Sequence, residues 1–140
     1  MSAMRYVIVS VSIGLLFAAM DGLINANPIA LVLYEAYQPM TRASVNVAAG
    51  LAIDIVYGFV MAGVFLLLYR SLPGQSGLAK GLSYALIVWF FRVLMSAASS
   101  WMLFTLPAAL VGYQLVTGLL EMAVLGALLG VFLKPVVENH

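Results

Sequence analysis

Cysteine is absent from this 140-residue chain, and its only histidine is the last residue, His140. The first absence removes disulfides, thiolate metal sites and thiol redox chemistry. The second leaves haem without an axial ligand and a proton relay without imidazole. Charge is scarce too. Asp, Glu, Lys and Arg make up 8% of the residues, against about 25% in an ordinary soluble domain. The net charge of +1 comes with no basic run, so no nucleic-acid partner is expected. Ser96, Ser99 and Ser100 have no histidine to activate them. No catalytic residue, metal ligand set or cofactor is therefore expected, and the chain reads as a non-enzyme.

What the chain has in excess is apolar surface. It is 65% hydrophobic with a mean hydropathy of +1.13, a composition whose solvent is lipid rather than water. Its length suits one compact unit, a single membrane domain over residues 1–140.

A membrane-crossing helix needs about 20 mostly apolar residues. Four stretches qualify: 6–24, 45–68, 81–104 and 108–133. Arg5 ahead of an apolar run has the layout of a signal peptide, but the run continues to Ile24 and is long enough to span. The expected fold is an all-α integral membrane protein, a four-transmembrane-helix bundle. Asn25, Asn27 and Pro28 break the first span, Leu72-Pro73-Gly74 makes a turn, and Pro107 sits in a tight link between spans three and four. The prolines all fall outside the spans, which predicts straight helices. Residues 29–40, with Tyr34, Tyr37 and Pro39, read as a short interfacial helix or a partly re-entrant loop between spans one and two.

Orientation follows the distribution of Lys and Arg. Arg5, Arg70, Lys80 and Lys134 fall at one end and Arg42 at the other. That bias predicts cytoplasmic termini in a bacterial inner (plasma) membrane. Two short matches suggest that spans one–two and three–four are duplicated hairpins. Asp54 and Glu121 are each followed nine residues later by Gly-Val-Phe-Leu, and Pro28 and Pro107 each open a similar apolar run. The Pro-to-acid spacings differ, however, and only an insertion in the first hairpin reconciles them.

Asp54, Arg92 and Glu121 lie close to the midpoints of their spans. A charge facing lipid at that depth costs about 2.5–3.5 kcal/mol on insertion scales, so the three are expected to turn inward and meet. Arg92 has a planar fork able to hold two carboxylates. Asp54 is expected as its tighter partner and Glu121 as the acid that carries a proton. Ser96, Gln114 and Thr117 share faces with these charges and complete an expected ion or proton pathway. Asp21, Asn25 and Asn27, near the end of span one, read as helix-end solvation or the lining of an outer vestibule. Gly50, Gly58, Gly118, Gly126 and Gly130 are expected at close helix contacts.

Two functions fit. One is an ion- or proton-coupled transport unit; since four spans are thin for a solute pathway, it would work as a homo-oligomer or with a membrane partner. The other is a non-catalytic subunit or scaffold whose charges only set helix register. Polar residues reaching Glu121 from one side of the membrane would favour the first.

Overall fold

The computed structural model describes residues 2–135; the expectations that rest on His140 lie outside them. The described chain is helical, with no strand. Four helices are long and apolar enough to cross a membrane: α1 (Ala3–Ala26), α3 (Val47–Leu68), α4 (Gly77–Leu103) and α5 (Ala108–Phe132). A short α2 (Pro28–Leu33) and a 3₁₀ turn (Tyr34–Met40) lie between α1 and α3. This is a membrane protein by its helices, and its exposed surface agrees: Leu23, Leu67 and Phe91 each leave at least 70% of their area uncovered.

Local chemistry sets the helix ends. Ser2, Asn46 and Ser76 each accept a hydrogen bond from a backbone N–H three residues on, capping α1, α3 and α4. Asn27 ends α1 and caps α2, with Pro28 in the first turn where a missing N–H costs nothing. The cap at Ser76 starts α4 four residues before the apolar run suggested, so Gly77 is already helical.

The straight-helix expectation fails in α4. Phe90–Leu94 form a π-helical turn, in which the Met95 N–H donates to the Phe90 carbonyl. No proline is involved. The turn inserts one extra residue, with Arg92 at its centre, and rotates everything beyond it by roughly one position, about 100°.

Small residues bring the helices together in pairs. A Cβ at Gly58 of α3 would fall on the Ser10 carbonyl of α1, and one at Gly14 would meet the backbone of Asp54 and Ile55. Likewise Gly77 and Gly81 of α4 lie backbone to backbone against Gly130 and Gly126 of α5. Such approaches maximise dispersion contacts where the lipid supplies no hydrophobic driving force. Gly118 takes the Val93 side chain. Gly50 was expected at a contact but has open space where its Cβ would stand; the α1–α3 crossing runs through Gly14 and Gly58 instead.

The two pairs meet mainly along α1 and α5. There Phe17, Met61, Phe65, Tyr84, Met122, Leu125, Leu129 and Leu133 form a buried apolar core. Two polar anchors set the antiparallel register of α1 and α5. At the end holding the chain termini, Arg5 Nε donates to the Phe132 carbonyl at 2.8 Å. At the opposite, distal end, the Tyr113 hydroxyl donates to the Ile24 carbonyl at 2.6 Å and accepts from Asn27 Nδ2 at 2.7 Å. Asn27 is therefore level with Tyr113, which lies five residues, or ~8 Å, inside the start of α5.

Candidate functional site

That register moves Asp21 inward. Six residues back from Asn27 correspond to roughly residue 119 of α5, within a turn of Glu121. Side chains lean toward their own helix N-terminus, so on antiparallel helices Asp21 and Glu121 lean toward one another. Both carboxyl groups line one cavity. Glu121 is 3% exposed, and its Oε1 has no hydrogen-bond partner. Arg92 Nη1 stands 3.9 Å from that oxygen, an ion pair too long for a hydrogen bond.

Among the described residues this is the one Lys- or Arg-carboxylate pair within 4.0 Å, which corrects the expected partnership of Arg92 with Asp54. Asp54 is half-buried, outside the lining of the cavity that holds the other charges, and its backbone carbonyl packs against Gly14. The Arg92 guanidinium instead lies over aromatic faces, 4.6 Å from the Phe17 ring centre and 5.4 Å from that of Tyr57. Both distances suit a cation–π contact. The three clustered charges are thus Asp21, Arg92 and Glu121.

They line a cavity of about 490 Å³, together with Asn25, Tyr34, Tyr37, Tyr57, Ser96, Ser100, Gln114 and Thr117. Ser96, Gln114 and Thr117 were expected there. Ser100 takes the place that an undistorted helix would give Ser99, because the π turn shifts the face by one residue. Asn25 lines the cavity as the vestibule reading supposed. Asn27 does not; its amide is spent on the end of α1, on Tyr113 and on the α2 cap.

The segment between α1 and α3 supplies two further walls that sequence patterning left as an interfacial anchor. Tyr34 and Tyr37 stack with ring centres 5.8 Å apart at the distal mouth. Burial pushes the Tyr34 hydroxyl above the usual 10.0, with a hydrogen bond to Gln114 acting the other way. Tyr57, stacked on Phe17 with ring centres 5.5 Å apart, forms the wall from α3. An aromatic residue in an apolar span carries no mark of which neighbour it faces, so the sequence held no signal for Tyr57; the polar residues beside Tyr34 and Tyr37 marked their segment as interfacial but not as a cavity wall.

On the terminal side of Glu121 the bundle closes. Met122, Leu125 and Leu129 are fully buried among Phe65, Ala85 and the glycine crossing of α4 with α5. The Tyr84 hydroxyl donates to the Met61 carbonyl and ties α4 across to α3 at this level.

The chain matches no protein-family model, no curated protein and no solved structure. The reading of the site therefore rests on its own geometry. Among the described residues no three Asp, Glu, His or Cys side chains gather closely enough to hold a metal ion. The chemistry the site offers is that of two adjacent carboxyl groups, one guanidinium, and a shell of hydroxyls and amides open toward one end. Such a group can hold a proton between the acids and accept or release it through the cavity.

Proposed function

We propose that the chain is a proton- or cation-coupled transport unit whose exchange site is Asp21, Arg92 and Glu121. The observation that carries this reading is one-sided access. A polar cavity leads from the distal end to the buried carboxylate of Glu121, and packed apolar residues separate that carboxylate from the terminal end. Alternating access needs such an asymmetry around a site near the membrane midplane in each of its two states. A scaffold that used the charges only for helix register gains nothing from an open polar approach.

On this reading the excess of Lys and Arg places the terminal end in the cytoplasm of a bacterial inner membrane, and the cavity opens outward. The glycine pairs hold each hairpin rigid, so movement falls on the α1–α5 seam between the hairpins. The similar Gly-Val-Phe-Leu runs after Asp54 and Glu121 fit two duplicated hairpins, and a homo-oligomer or a membrane partner would complete the pathway.

The test is flux of protons and monovalent cations in sealed proteoliposomes, for the parent protein and for Glu121→Gln. Flux in the parent that is lost in a folded Glu121→Gln variant supports the reading. Absence of flux in the parent, with Arg92→Leu unfolding the protein, would make the charges architectural and refute it.

A further inference from the structure

The charge balance of the cavity identifies the kind of ligand it can hold. Arg92 contributes one positive charge, and Asp21 and Glu121 contribute two negative charges when both are ionised. With one proton between the acids the cluster is neutral; without it the cluster carries −1. The remaining polar lining residues are uncharged amides, hydroxyls and phenols. Asp54 on α3 stands outside the lining, and Tyr113 on α5 is engaged with α1. Losing the proton of the pair makes the site negative, and an anion entering it would meet two carboxyl groups.

Three further observations narrow the class. Glu121 Oε1 is buried in the cavity wall without a hydrogen-bond partner, and its one cationic neighbour, Arg92 Nη1, stands 3.9 Å off, so the oxygen keeps capacity to accept from a second donor or cation. The walls offer aromatic faces: stacked Tyr34 and Tyr37 at the mouth, and Tyr57 deeper in. Tyr57 already carries the Arg92 guanidinium, so the face bears a cation in place. The volume, about 490 Å³, lies in the range of sites for organic molecules and far exceeds what a bare inorganic ion fills.

We propose that this cavity binds a monovalent organic cation with an apolar or aromatic body, and that the Asp21–Glu121 pair releases one proton for each cation bound. The assignment rests on the transport reading above and names its substrate class. In the exchange the proton leaves the shared carboxyl–carboxylate pair for the cavity and the bulk solution. The pair passes from monoanion to dianion, and the arriving cation restores neutrality. Arg92 keeps its charge throughout. The site is neutral before and after, so neither state places a net charge in the low-dielectric interior, where such a charge is costly.

The experiment uses tetraphenylphosphonium as probe and tetraphenylborate, an anion of the same shape, as control. Purified protein in weakly buffered detergent is titrated with each, with binding followed by equilibrium dialysis and proton release by a pH indicator. The expected result is saturable binding of the phosphonium ion alone, with about one proton released per ion bound. Its affinity should rise about tenfold per pH unit while the pair is still protonated, by reciprocity of linked binding. Asp21→Asn, at a half-exposed position, should keep the fold by gel filtration and release no proton.

Equal binding of the borate, binding of phosphonium without proton release, or undiminished release from Asp21→Asn would each overturn the proposal. Proton flux in proteoliposomes without phosphonium binding would overturn this substrate class and leave the transport reading standing. Binding with exchange but no flux would support the site and refute transport.

Discussion

The pairing of Arg92 with Glu121, rather than with Asp54, is open to a direct energetic test. Two unit charges 3.9 Å apart interact by ~4 kcal/mol at an effective dielectric of about 20. Arg92 is 29% exposed toward the cavity, so solvent screening takes part of this. A coupling of roughly 1.5–3 kcal/mol is expected between Arg92→Gln and Glu121→Gln in a double-mutant cycle. The cycle removes the contribution of the Phe17 and Tyr57 rings, which is lost equally in both arms that lack the guanidinium. A second cycle pairs Arg92→Gln with Asp54→Asn and is expected to give under ~0.5 kcal/mol, because no ion pair within 4.0 Å joins those residues. Reversible unfolding in mixed micelles, with the parent, two single variants and one double variant per cycle, supplies the numbers. A larger coupling to Asp54 than to Glu121 would put the guanidinium on α3 and refute the geometry on which the exchange site rests.

Three further outcomes follow from the packing. Gly81→Ala should destabilise the bundle by about 1–3 kcal/mol, because its Cβ would fall on the Gly126 carbonyl; Gly112→Ala, in open space within a helix, should be neutral or stabilising by up to ~1 kcal/mol, and thermal unfolding in detergent reads both. Tyr113→Phe removes the hydroxyl that joins Ile24 and Asn27, and should cost about 1–2 kcal/mol and speed amide exchange at the end of α1, as followed by hydrogen–deuterium exchange. Tyr34 holds its proton beyond the usual 10.0, so phenolate absorbance compared with Tyr34→Phe should show a high-pH titration lost in the variant. The raised value favours the protonated folded form, so the stability it contributes is whole below pH 10 and is lost as pH climbs through the folded pKa.

Much of the architecture was legible because lipid imposes a length and a composition. Apolar runs bounded by Asn, Pro and Gly reveal four helices, since a backbone in hydrocarbon has to satisfy its hydrogen bonds internally. The inward turn of Glu121 and Arg92 was legible for a related reason: ionised groups at that depth are too costly to leave against lipid. Ser96, Gln114 and Thr117 followed from their helical spacing to those charges. The membership of the charged cluster was not legible. Counting residues from the end of span one leaves Asp21 at an edge, and only the Tyr113–Asn27 contact reveals that α1 ends ~8 Å inside the start of α5.

Sequence alone determined that this chain has four helices long and apolar enough to cross a membrane and that Arg92 and Glu121 face inward, because both follow from the cost of desolvation, a property of single residues. The tertiary structure decided which acid meets Arg92, that Asp21 rather than Asp54 joins Glu121, and that three tyrosines enclose the approach. Those outcomes depend on interhelical register, set by glycine crossings and two end anchors, and on one extra residue in a π turn. Register is a relation between distant segments, and a one-residue shift rotates a helix by about 100°, enough to exchange one face for another.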